Sequence, residues 1–302
     1  MVVKQTLPFW SILWALRHSM AFFLIVSAAA CGVYHFQPWG PDFQVSLTVI
    51  GLALSIFLGN RIRISYDRWW EGRKLWGRMI NRSRIITRQF LQFIEGPEED
   101  AEEIRRLHAR LVTRHIAYVH VFRVAMRRQS IPDDPDCRTH LTADELDQLS
   151  RESNPCNALV QMQGADLQNA VRRGWLSEHR LQQLDLSMVE LLDVQGGCER
   201  ILKTVIPVNL TYFPTRLVFL YSILLSIGLV KALSWWTIPT VLMVGFIFRI
   251  IDLAGKLIEN PFSTFVYGLP LSAISRTIEA NLLDRIGRER RPVPGPEDGI
   301  LM

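Results

Sequence analysis

Apolar residues in this chain come in long runs, and charges bound the runs. No Asp, Glu, Lys or Arg stands between Arg17 and Asp42, and residues 20–33 are almost wholly apolar. Residues 43–60, between Asp42 and Arg61, form a second uncharged stretch. Residues 217–230 and 232–248, separated by Lys231, are the third and fourth. A helix crosses a bilayer with about 20 apolar residues, and about 17 to 25 are tolerated. The first, second and fourth stretches meet that length. The third meets it if residues 211–216 lie among headgroups with the Arg216 side chain snorkelling. The pattern predicts an all-α membrane protein with four transmembrane helices in two hairpins; the alternative is two buried hairpins of a large soluble protein.

The middle of the chain has a different rhythm. Gly96-Pro97-Glu98-Glu99-Asp100 opens a helix with proline in its first turn and acids at the positive end of the dipole. Ile104, Leu107, Leu111, Tyr118, Phe122 and Met126 then recur at helical spacings. Residues 131–140, with two prolines and Cys137, read as a loop. Thr142-Ala143-Asp144-Glu145 is a capping box, Asn154-Pro155 starts a helix that Gly174 can end, and Ser177 caps another. No alternating run reads as a strand. The predicted divisions are an N-terminal hairpin over 1–60, a helical cytoplasmic region over 61–215 and a second hairpin over 216–250. A C-terminal helical segment over 251–286 and a disordered tail over 287–302 complete the chain.

Charge sets the orientation. Residues 61–88 hold nine basic side chains against two acids, a local surplus of +7 that exceeds the net +5 of all 302 residues. The short connector at 34–42 has no Lys or Arg, and the later one has only Lys231. The positive-inside rule therefore puts residues 61–88, the long middle and both termini in the cytoplasm. Trp39, Trp235 and Trp236 fall where an outer aromatic belt belongs. The run ending Ala28-Ala29-Ala30-Cys31 could pass for a cleaved leader, but a second span follows a short connector, so no cleavage is expected. The overall composition, 49% hydrophobic and 21% charged, then averages apolar hairpins with a charged helical body.

Motifs for chemistry are missing: there is no phosphate loop, no dinucleotide glycine signature, no Cys-x-x-Cys and no nucleophile elbow. Cys31, Cys137, Cys156 and Cys198 read as isolated reduced thiols. His108, His115 and His120 lack a neighbouring acid or cysteine that would complete a ligand set, so no metal or cofactor is expected. No enzyme is expected either. The basic run after the second span is better suited to anionic lipid headgroups than to nucleic acid.

The second span carries the functional signal. Leu52, Ile56 and Asn60 recur every four residues, beside a parallel stripe of small residues at Gly51, Ser55 and Gly59. A ring of helices needs such a pair of stripes, one for the neighbour and one for the axis; an ordinary packing helix also accounts for it. Arg61 and Arg63 follow, and a ring of guanidinium groups facing the axis would favour anions. Whether they face it is open at this level.

Gly59-Asn60-Arg61, with Tyr66-Asp67-Arg68-Trp69-Trp70-Glu71-Gly72-Arg73-Lys74-Leu75-Trp76-Gly77, resembles the signature of the bestrophin family. Gly197-Cys198-Glu199-Arg200-Ile201, Pro207 and Glu259-Asn260-Pro261-Phe262 extend the resemblance in order along nearly the whole chain, and the bacterial branch is most similar. The resemblance implies a homopentamer around a central pore, multi-pass in the bacterial inner (plasma) membrane. Each second span would line a hydrophobic neck at Leu52, Ile56 and Asn60, conducting small monovalent ions, either anions such as chloride or sodium-type cations. Family members commonly carry an aromatic residue where Asn60 stands, so the inner end of this neck would be wetter. A second constriction at the cytoplasmic exit would fall on His179, where relatives carry an apolar residue. Animal members clasp calcium with acids after the Asn-Pro-Phe motif, but residues 263–268 contain none, so that clasp is not expected. The competing readings are a non-conducting membrane-anchored scaffold whose helical region binds a partner, and a secondary transporter. The transporter is disfavoured because the hairpins show no inverted-repeat similarity.

Overall fold

The hydrophobic runs become helices because an α-helix satisfies every backbone polar group internally, the condition a bilayer imposes. A computed structural model describes residues 9–36, 47–293 and 295. Its elements are α1 (Phe9–Phe36), α2 (Leu47–Phe93), α3 (Ala101–Met126), α4 (Pro135–His140) and α5 (Ala143–Arg151). They continue with α6 (Pro155–Arg172), α7 (Glu178–Lys203), α8 (Val208–Leu233), α9 (Thr237–Ile258) and α10 (Leu271–Leu283). Short 3-10 turns lie at Glu98–Asp100, Ser234–Trp236 and Asp284–Ile286, and no strand occurs among the described residues. Helices long and apolar enough to cross a membrane lie in Trp10–Phe36, Leu47–Phe93 and Val208–Ile258; the last stretch holds α8 and α9. Trp39 lies outside the described residues.

The chain forms two compact units. One contains α1, α2 as far as Trp69, α8 and α9. Here α1, α8 and α9 pack on one another. Phe23, Leu54, Leu58, Val218, Tyr221, Leu225 and Val241 form the shared core. Gly245 lets α9 approach α1, since a Cβ there would come within 2.5 Å of the Phe23 ring. Ile25, Leu220, Met243 and Ile247 remain exposed, as side chains facing hydrocarbon would.

The other unit contains α2 from Trp70, α3 to α7 and α10. Its centre is α3, buried without interruption from His115 to Val124 and packed against α4, α6, α7 and α10. The expected helix starts are present. The Thr142 side chain and Glu145 complete the capping box, the Asn154 side chain accepts from the Asn157 N–H, and Ser177 accepts from the Arg180 N–H. Gly174 follows α6 at φ +75°, a conformation glycine adopts freely. One expectation changes. Part of the loop read over 131–140 is α4, because the Asp134 carboxylate accepts from the N–H groups of Asp136 and Cys137 and Pro135 presets the first turn. In the segment read as a disordered tail, Arg288 hydrogen-bonds the Thr113 hydroxyl and Arg291 pairs with Glu279 and Asp136. Guanidinium groups there find buried carboxylates, a long-range pairing invisible to composition.

Candidate functional site

The two faces of α2 have opposite fates within the first unit. Leu54 and Leu58 are buried in the core, whereas Leu52 and Ile56 are 62% and 59% exposed and Asn60 is exposed with them. A helix that buries every fourth residue on one side necessarily offers the intervening stripe on the other. The small stripe is only partly used inside the chain. A Cβ on Gly51 would meet the Tyr221 hydroxyl of α8 at 2.7 Å, but one on Gly59 would meet nothing within 4 Å.

The question left open for the two arginines has a split answer. Arg61 is buried on the packing side, ion-paired with Asp252 of α9 and hydrogen-bonded to the Thr215 hydroxyl at 3.1 Å; Glu259 lies 3.8 Å away. Arg249 also pairs with Asp252 and donates to the Ser19 hydroxyl at 3.0 Å. Thr215 donates to the same carboxylate. Arg63 instead continues the exposed stripe, three residues beyond Asn60, with Asp67 at 4.0 Å as its partner. Only Arg63 can present its charge on the face that carries Leu52 and Ile56. The residues joined to Arg61 escaped sequence reading; an acid, Asp252, shortly after the fourth apolar run, at the same membrane end as the first basic group after the second, was the available signal.

The aromatic and basic block that follows is mainly a packing device. The Trp76 ring is fully buried and stacks on Phe122 at 5.3 Å. Gly72 lies against Pro261 and Phe262, where a Cβ would come within 3.3 Å of both. Gly197 admits the Leu75 side chain, which a Cβ would meet at 2.9 Å, and Arg200 pairs with Glu71. The Tyr66 and Trp69 rings stack at 6.4 Å. Arg68 and Arg73 are half-buried, and Lys74, Asp67 and Trp70 are exposed. Gly77 sits 3.5 Å, measured from its would-be Cβ, from the Arg73 guanidinium. Pro207 immediately precedes α8, and Asn260 is exposed just before the buried Pro261 and Phe262. His179 is exposed on the first turn of α7, on a surface that also exposes Leu186 and Val189.

The remaining candidate chemistry is quiet. All four cysteines are buried and unpaired with each other, and burial pushes the thiols of Cys156 and Cys198 up to about 12. His108 is partly buried, which lowers its pKa, and its ring lies 3.1 Å from the Ile94 carbonyl. His115 is wholly buried with neither ring nitrogen hydrogen-bonded, and burial pushes it down to about 4. His120 differs, since its ring meets Glu279, a residue remote in sequence.

The model of the bacterial and fungal bestrophin proteins matches residues 8–284, a range that includes both the exposed stripe and the aromatic and basic block. The chain belongs to that family. Among relatives of this bestrophin, a voltage-dependent anion channel-forming protein of Ralstonia nicotianae is 32% identical over 95% of each chain. The voltage-dependent anion channel-forming protein YneE of Escherichia coli K12 is 31% identical over 82% of this chain and 79% of its own. Among solved structures, a tryptophan-to-alanine variant of a bacterial bestrophin homologue from Klebsiella pneumoniae superposes with a TM-score of 0.81. Its identity to this bestrophin is 29%, over 92% of this chain and 99% of that one. The shared architecture is all-helical, with membrane-competent helices.

Proposed function

We propose that this bestrophin is an ion channel and not an enzyme, with five copies arranged around a common axis and the exposed stripe of α2 lining the conduction path. The observation that carries the reading is the exposure of Leu52 and Ile56 on the side of α2 opposite its buried Leu54 and Leu58. In one chain these apolar side chains have no partner in the core; around an axis they form a ring. A ring of that chemistry resists ions by dewetting, and the Asn60 amides wet its inner end. Gly59, open in the single chain, gives a neighbouring copy room for close approach.

Small monovalent ions pass, and anions are favoured. Relatives at 31% and 32% identity bear the name of anion channel-forming proteins, and Arg63 is the exposed cation at the inner end of the stripe. His179 sits at the cytoplasmic exit. The basic stretch after the second span meets anionic headgroups on the cytoplasmic leaflet, with both termini on that side of the plasma membrane. The test is a reversal potential in planar bilayers under asymmetric NaCl. The expected sign is that of chloride permeation, and it should persist when sodium is replaced by a large organic cation. Persistent silence of the purified protein would favour the scaffold reading instead.

A further inference from the structure

Three helices of the unit built on α3 converge two histidines and a glutamate that lie far apart in the sequence. His120 projects from α3, His140 ends α4 and Glu279 belongs to α10. The His120 Nε2 lies 2.8 Å from one Glu279 oxygen and the His140 Nε2 lies 3.2 Å from the other. One donor atom from each residue lies within 4.8 Å of the other two. The two imidazole rings are nearly parallel, with centroids 5.7 Å apart. All three side chains are buried or nearly so, and hydrogen bonds from His120, His140 and Arg291 outweigh burial to hold Glu279 ionised.

We propose that His120, His140 and Glu279 form a binding site for a divalent transition-metal ion of the zinc class, with water as the fourth ligand. Two imidazole nitrogens and one carboxylate suit zinc, cobalt or nickel and disfavour calcium and magnesium, which take oxygen ligands. Tetrahedral bonds of about 2.0 to 2.1 Å place ligand atoms about 3.3 Å apart. The His140–carboxylate separation of 3.2 Å is already close to that value, and the His120 ring, 2.8 Å from the other oxygen, has to open by about 0.5 Å. A supporting shell is in place as well. The other nitrogen of His120, Nδ1, is buried without a hydrogen bond, and an Asp136 oxygen lies 3.6 Å from it. A carboxylate behind a ligating histidine orients the ring and raises its basicity. Asp136 is itself held by Arg276 at 2.6 Å and Arg123 at 3.3 Å.

Arg291 occupies the place of the ion. Its guanidinium bonds both Glu279 oxygens, at 2.7 and 2.9 Å, and lies 3.2 Å from the His140 Nε2. A metal ion bound by the same oxygens and nitrogen excludes it, both sterically and by like charge. Metal binding and docking of the segment that carries Arg291 are therefore mutually exclusive, and the ion releases that segment from α10.

Cobalt(II) titrated into the purified, metal-stripped full chain in detergent tests this, because tetrahedral cobalt has strong visible absorption. One cobalt per subunit is expected, with the absorption lost when zinc is added. The absorption should be missing in His140→Ala and in Glu279→Gln, each checked for native helicity by circular dichroism. Arg291→Ala should bind about tenfold tighter or better, since a charge-assisted competitor is gone. Cobalt should also speed tryptic cleavage at the Arg288 to Arg291 segment. No tetrahedral absorption in either wild type or Arg291→Ala overturns the proposal. Equal absorption in a folded His140→Ala or Glu279→Gln variant overturns it too. None of these readouts depends on ion conduction.

Discussion

His115 shows how one buried side chain couples the fold to pH. Burial depresses its folded pKa to about 4 from an ordinary 6.5. Above pH 6.5 the ring is neutral in both states, so its contribution to stability is intact. Between 6.5 and 4 the unfolded chain takes up a proton that the folded chain refuses, and stability falls; below 4 the loss levels off. The interval corresponds to about 3 kcal/mol in full. His115→Leu should flatten the fall of melting temperature between pH 6.5 and 4, measured in detergent by circular dichroism. An unchanged slope would mean that the ring is solvated. Asp252 makes the complementary case among charges. Its carboxylate serves both Arg61 and Arg249, so Asp252→Asn leaves one buried and one partly buried guanidinium group short of an anion. The expected cost is about 3 to 5 kcal/mol, read as a lower melting temperature, with the Arg61 part of it restored in the double variant Arg61→Met and Asp252→Leu, which still leaves Arg249 without its carboxylate.

At the scale of the element, α2 is one helix with a buried and an exposed face, and positions two residues apart separate them. Leu54→Ala removes core volume beside Phe23 and Val241 and should destabilise the fold by about 2 to 5 kcal/mol. Ile56→Ala, two residues on and exposed, should leave the melting temperature within about 1 kcal/mol of wild type while raising single-channel conductance or open probability. If both substitutions acted only on stability, the exposed stripe would be a packing face and not a pore lining. Asn60→Phe should lower conductance in the same bilayer recordings by restoring a dry inner ring. Helix starts were readable because capping is chemistry between residues two or three apart, as at Thr142, Asn154 and Ser177. The same logic applied to Asp134-Pro135 would have found α4, whose six residues are too few to show a hydrophobic period.

For the whole molecule, the proposed channel requires copies of the chain to complete what one copy leaves open. Native mass spectrometry of the detergent-extracted protein should give about five times 34.8 kDa. A monomer would remove the ring on which the pore reading depends. What the sequence determined by itself was the membrane-competent helices, the charged helical body between them, the stripe at Leu52, Ile56 and Asn60, and the family resemblance. These are properties of spacing and composition along a single helix, which short-range physics reads directly. Only the tertiary structure decided that Arg61 turns inward to Asp252 while Arg63 stays out. It alone brought Gly72 against Phe262 and gathered His120, His140 and Glu279 under Arg291. Most of those pairings join residues more than a hundred positions apart; His120 with His140 and Glu279 with Arg291 are the exceptions. They follow from which helices pack together, and a hydrophobic period records that a face is buried but not what it is buried against.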